Sequence, residues 1–222
     1  SLFSSEELST GWELKAADDH SPEAWLPVAK VPTVVHLDLM ANDKYLISAS
    51  TVLDLTKYLR IPDTSCDTNE LEAQWVDQKC WSYRCQFGSP PGAQQGNQVR
   101  LVFEGLDTFA KVLLNDRVIL ESDNMFIAYT VDITGHLRPN GPNTLQIDFD
   151  SALLRGRAIQ DANIEHRYLC TLGSPERLAV RKAQYHWGWD WGPVFATAGP
   201  GRPGRLETYR SRIHDIWVEY SL

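Results

Sequence analysis

From Cys80 to Asp150 the chain repeats one pattern: a run of five to eight residues alternating apolar and polar, closed by a turn. The runs are Cys80–Phe87, Val99–Gly105, Phe109–Leu114, Arg117–Glu121, Tyr129–Thr134 and Thr144–Asp150. A period of two puts alternate side chains on opposite faces, so each run reads as a strand with one face buried. In the first, the aromatics at 81, 83 and 87 share that face. Asn115-Asp116 is a two-residue tip that tolerates positive φ and predicts a hairpin, and Pro139-Asn140-Gly141-Pro142 predicts a second turn. Short strands spaced about ten residues apart predict an all-β chain, an antiparallel sandwich with short helices and long loops.

On either side of this block the pattern is less regular. Gly11–Lys15 alternates and predicts a strand after a polar Ser/Glu stretch, while the prolines of Trp25–Pro32 predict extended chain. The spacing of Val34, Val35, Leu37, Leu39 and Met40 predicts a short helix, with Thr33 as its cap. The stretch from Tyr45 to Leu59 fits helix and strand equally. Arg60–Thr68 reads as a loop, and Asn69–Gln78 as helical or extended. Ser151–Lys182 is charged and non-alternating, with a helix near its start. A long irregular insertion in a compact β fold is more often functional than decorative. Beyond it, Arg205–Arg210 and the alternation from Ile213 onward predict further strands.

That insertion delivers the chain to His186-Trp187-Gly188-Trp189-Asp190-Trp191-Gly192-Pro193, where three of the eight tryptophans surround one carboxylate. Two readings stand. The indoles are core and the glycines mark a bulge or tight turn; or the indoles are exposed platforms beside an acceptor. The second suits a pyranose, whose C–H faces stack on indole and whose hydroxyls donate to a carboxylate, each such bond contributing roughly 1.5–3 kcal/mol. Trp189, Asp190 and Trp191 are therefore candidate sugar-binding residues. Arg181 and Lys182 are candidates either to pair with Asp190 or to reach a ligand hydroxyl.

A net charge of −8 with no clustered Lys and Arg argues against a nucleic-acid partner. The longest apolar runs are too short to cross a bilayer. Cys66, Cys80, Cys85 and Cys170 form no CxxC pair and no His pair has zinc spacing, so neither a metal nor another cofactor is expected. One disulfide among Cys66, Cys80 and Cys85 and free buried thiols both remain open. The start has no signal-peptide pattern and the chain has no Asn-x-Ser/Thr sequon, which leans toward the cytoplasm. Secretion is the alternative, because the first residue is not Met. No Gly-x-Ser-x-Gly nucleophile or phosphate loop is present. Asn69-Glu70 is a tempting acid without a visible partner, and a glycosidase needs two facing carboxyl groups.

The run from Arg181 to Pro193 resembles the signature of the N-terminal domain of β-mannosidases in glycoside hydrolase family two. Further matches span most of the chain: Gly11-Trp12, Ala24–Pro27, Val31–Leu39, Asn69-Glu70, Gln74–Val76, Trp81–Tyr83, Gly105–Thr108, Val112–Asn115 and Asn124–Phe126. Together they look closest to fungal members. The family usually carries Asp-Pro-Phe where Asp63-Thr64-Ser65-Cys66 stands here. The resemblance implies a galactose-binding-domain-like jelly roll over 1–211, with 212–222 as the linker and first strand of a following immunoglobulin-like domain. It also implies a downstream barrel that carries the catalytic glutamates, so no catalytic residue is expected in this chain and Asn69-Glu70 is not the catalytic pair.

By the same resemblance, the residues matching Trp189 and Asp190 contact a terminal mannose, and the partners are a β-mannoside or manno-oligosaccharide and the downstream domains. The expected function is that of the N-terminal domain of an exo-acting, retaining β-mannosidase. A free-standing carbohydrate-binding module and the structural domain of another family-two glycosidase are the alternatives.

Overall fold

The computed structural model describes residues 3–42, 47–48, 51–52, 73–166, 168–170, 173–190, 192–213 and 215–220. Two antiparallel sheets carry the fold. Strands β1 (Phe3–Glu7), β12 (Gly204–Tyr209), β7 (Gln98–Phe103) and β10 (Tyr129–Asp132) form one, in that order. The other runs β3 (Leu26–Val28), β2 (Trp12–Ala16), β6 (Trp81–Phe87), β11 (Asn143–Phe149), β8 (Ala110–Leu114) and β9 (Arg117–Ser122). Of the ambiguous stretch 45–59, the described part is a short pair, β4 (Ile47–Ser48) with β5 (Thr51–Val52). Asn69-Glu70, Cys66 and the loop 60–68 lie outside the described residues.

The apolar positions of the two sheets meet in one core. Val99, Leu101, Phe103 and Leu206 from the first sheet pack against Trp12, Leu14, Trp81, Tyr83, Val112, Leu114, Leu145, Ile147 and Phe149 from the second. This is the expected all-β sandwich. Tyr83 meets Phe149 edge to face with ring centroids 5.8 Å apart, a geometry worth roughly 0.5–1.5 kcal/mol beyond the buried area. The polar positions pair across strands on the outer face, Ser82 donating to Asp148 (2.6 Å) and Arg84 to Glu13 (2.8 Å). Asn115 and Asp116 take φ of 51° and 68°, the left-handed pair that a two-residue hairpin between β8 and β9 requires. Asn115 also donates to the His136 carbonyl and accepts from the Thr144 amide, tying that tip to its neighbours.

Two expectations need correction. The polar stretch before Gly11 is itself a strand: β1 is exposed along its whole length and is held by its ladder to β12, so it carries no apolar face for periodicity to reveal. The helix at 33–42 forms as α1 (Val35–Ala41), but Val34 is its cap residue and makes no side-chain capping bond. The Thr33 hydroxyl instead donates to the buried Asp38 carboxylate (2.9 Å), which also accepts from the Tyr83 hydroxyl (2.7 Å). Of the two readings left open for the cysteines, free thiols hold for Cys80 and Cys85, and burial pushes Cys85 up to about 12.

Asp38 sets a measurable pH dependence. Burial raises its pKa to about 6, outweighing the two hydroxyl donors that favour its ionised form. A carboxyl whose folded pKa lies above its unfolded one stabilises the fold fully below the unfolded value and loses that contribution as pH rises through about 6. A shift of about two units corresponds to about 3 kcal/mol. We expect Asp38→Asn, which keeps the shape without the charge, to abolish that decline between about pH 4 and 6.5 in urea-unfolding curves. A parallel pH slope in both proteins would contradict this account.

Candidate functional site

The insertion folds as α2 (Ala152–Ala162), whose Ser151 cap accepts from the Leu154 amide (3.1 Å), followed by a 3-10 turn over Pro175–Ala179. The two pack closely at Gly156, where a Cβ would stand 2.7 Å from the Glu176 carbonyl oxygen. Under them lies a second apolar cluster of Phe109, Ala152, Val180, Trp187 and Ala196. The chain then enters the tryptophan loop.

Within the loop the tryptophans divide. Trp187 is 1 % exposed and belongs to the second cluster, so the core reading holds for it. Trp189 is 60 % exposed, and Asp190 beside it is exposed and bonded to no other described residue. Trp191 lies outside the described residues. The Trp189 amide donates to the Gly192 carbonyl (3.1 Å) and the Gly192 amide returns the bond (3.3 Å), closing a turn with Asp190 at its tip. Below it Trp187 bridges to Val194. Gly188 joins these two layers at φ +87°, and a Cβ there would meet the Val194 side chain at 2.7 Å, so no other residue fits without strain.

The base of the loop is polar and buried. Lys182 is fully enclosed, its ammonium donating to the buried Asp107 carboxylate and to the Thr197 carbonyl (2.7 Å). Burial lowers its pKa, and the charge of Asp107 counters part of that fall. The Thr197 hydroxyl donates to the other oxygen of Asp107 (2.8 Å). His186 Nδ1 lies 3.1 Å from that hydroxyl oxygen and 3.3 Å from the Phe195 carbonyl, two acceptors that place its proton on Nδ1. Burial first, and the Lys182 charge second, push His186 down to about 4. It is a neutral ring across the ordinary pH range. Asp77 holds the returning leg, accepting from the Ala196 amide (2.8 Å) with His36 Nε2 at 3.3 Å. His36 packs against Phe195, ring centroids 5.1 Å apart.

The five candidate residues are thus not one constellation. Trp189 and Asp190 share the exposed tip. Arg181 sits at the surface and reaches Asp123 (3.3 Å), both side chains about two-thirds exposed. Lys182 faces inward, with Asp107 rather than Asp190 as its carboxylate. Asp107, Thr197, His186 and Asp77 were not among the candidate site residues, although His186 opens the tryptophan run and Asp107 lies within the Gly105–Thr108 match. The available signal was Asp107 itself, an acid between Leu106 and a run of strand residues.

An exposed indole beside an exposed carboxylate on a buried, charge-paired base can stack on an apolar ring face and accept hydrogen bonds from adjacent hydroxyls. Several known proteins resemble this chain. Beta-mannosidase B of Aspergillus terreus is 48 % identical over 220 residues, covering 99 % of this chain and 24 % of that protein. The protein of the same name from Emericella nidulans is 49 % identical over the same span. The chain therefore spans about a quarter of the length of these curated relatives. Among solved structures, the β-D-mannosidase of Dictyoglomus thermophilum superposes with a TM-score of 0.74 at 33 % identity, over 96 % of this chain and 24 % of that one. A β-glucuronidase from an uncultured Clostridium shares the fold alone, at a TM-score of 0.53 and 16 % identity over 94 % of this chain and 29 % of its own. The model of the glycosyl hydrolase 2 galactose-binding domain-like family matches residues 46–202, from the end of the first helix through the whole tryptophan loop, and the chain belongs to that family.

Proposed function

We propose that this chain is the N-terminal domain of an exo-acting, retaining β-mannosidase, and that its loop tip grips the terminal non-reducing mannose while glutamates on a downstream barrel cleave the bond. The observation that carries the reading is the shared exposure of Trp189 and Asp190 at the tip of a loop whose base, at Lys182, Trp187 and Ala196, is buried. The names of the relatives at 48 and 49 % identity support the substrate class. In this reading Trp189 and Trp191 supply stacking surface, Asp190 accepts from ring hydroxyls remote from the scissile bond, and Arg181 stands at the rim. Lys182 acts from below. Binding energy gained at remote hydroxyls can orient and distort the reacting ring.

Asp190→Ala in the full-length protein is the test. Losing one or two charge-assisted hydrogen bonds should lower kcat/KM for a β-mannoside by about ten- to a hundredfold, with unfolding unchanged. An unchanged kcat/KM would leave the domain a structural one. Micromolar mannose binding by the isolated chain would point instead to a free-standing binding module.

The same reading assigns 212–222 to the linker and first strand of a following immunoglobulin-like domain. Ile213, Ile216, Trp217, Val218 and Tyr220 are each more than 70 % exposed, a density of bare apolar side chains that a second domain would cover. Slow amide exchange over 213–220 in the full-length protein is the expected result; fast exchange would remove the assignment.

A further inference from the structure

The loop leaves the sandwich at Lys182 and returns at Thr197, and one carboxylate, Asp107, receives both legs. Lys182 also donates to the Thr197 carbonyl, so the three residues close a triangle across the base. Asp107 is in turn immobilised through its main chain: its amide donates to the Gly199 carbonyl and the Gly199 amide donates back, both at 3.1 Å. His186 carries the triangle upward through Nδ1 to Thr197. Three residues further on, the mutual Trp189–Gly192 bonds close the tip. Little slack separates the triangle from Asp190. From this geometry we infer that Asp107, acting with Lys182 and Thr197, is a positioning residue for substrate: it sets where the Trp189-Asp190 tip stands relative to the sugar.

Asp107 is 4 % exposed and Lys182 1 %, so neither touches a ligand at the tip. Their influence passes through the loop. A misplacement of the order of 1 Å in a substrate-contacting group is enough to cost about a hundredfold in rate. The inference rests on the proposed role of Asp190, and the experiment separates the two.

The charge-neutral pair Asp107→Asn with Lys182→Met removes the clamp without stranding a buried charge. In the full-length protein, kcat/KM for 4-nitrophenyl β-D-mannopyranoside should fall about tenfold or more. The same pair added to Trp189→Ala/Asp190→Ala should change kcat/KM by less than about twofold, because both groups it positions are already gone. Thr197→Val, milder and isosteric, should lower kcat/KM in the same direction, and Thr197→Ser, which keeps the hydroxyl, should restore it. If the double variant does not fold, the Val and Ser pair carries the test alone. Full activity in folded Asp107→Asn/Lys182→Met or in Thr197→Val, or an undiminished further loss in the Trp189→Ala/Asp190→Ala background, overturns the inference and leaves the role of Asp190 standing. Full activity of Asp190→Ala itself sinks both.

Discussion

Asp107→Asn, made alone, should lower the unfolding free energy by about 3–5 kcal/mol. The Lys182 side chain is completely enclosed and that of Asp107 is 5 % exposed, so the ammonium has no water to replace its counter-ion. Asparagine keeps one acceptor oxygen but no charge, and the lysine must either remain an uncompensated buried cation or give up its proton. Burial already depresses this lysine, and Asp107 is the main group opposing that depression. Without it the folded pKa drops further below the unfolded one. The sign follows directly: the unfolded chain then binds a proton that the folded chain does not, so stability rises with pH toward the unfolded value. Urea unfolding should therefore show a large deficit at neutral pH that narrows at higher pH, and adding Lys182→Met should recover much of it. A deficit below about 1 kcal/mol, within the range of exposed pairs, would show that this ion pair behaves as a surface one.

Trp187 and Trp189 should give opposite phenotypes. Trp187→Ala empties a fully buried site among Phe109, Ala152, Val180 and Ala196 and should cost about 3–5 kcal/mol. The loss is one of packing, since the indole Nε1 has no hydrogen-bond partner among the described residues and none of their acceptors is orphaned by its removal. Trp189→Ala removes a side chain that is 60 % exposed and should change stability by no more than about 0.5 kcal/mol, while kcat/KM for a β-mannoside falls. Thermal unfolding of the two variants side by side, with kinetics on each, provides the comparison. Equal destabilisation by both would mean that Trp189 is part of the core.

Which of these indoles does which job could not be read from their spacing. Trp187, Trp189 and Trp191 repeat every second residue, and strict alternation would have put them all on one face. The turn between Trp189 and Gly192 and the left-handed Gly188 break that alternation, and both are consequences of how the loop closes on itself. Lys182 illustrates the same difficulty. One residue from the exposed Arg181, and equally basic, it is drawn inward by an acid 75 positions earlier. No local signal announces a partner that distant.

The sequence by itself determined the sandwich, the hairpin at Asn115-Asp116, the helix at the start of the insertion and the loop that bears the candidate site. Each rests on interactions within a few residues: the two-residue period of a half-buried strand, the φ tolerance of an Asn-Asp tip, a serine capping the turn after it. The tertiary structure alone decided that the exposed Phe3–Glu7 is a strand, that Asp38 is buried beneath Tyr83, and that Asp107 clamps both legs of the loop. In all three the deciding partner is remote in the chain. Hydrogen bonds and desolvation act through space, and only the folded chain sets which groups are close enough to share them.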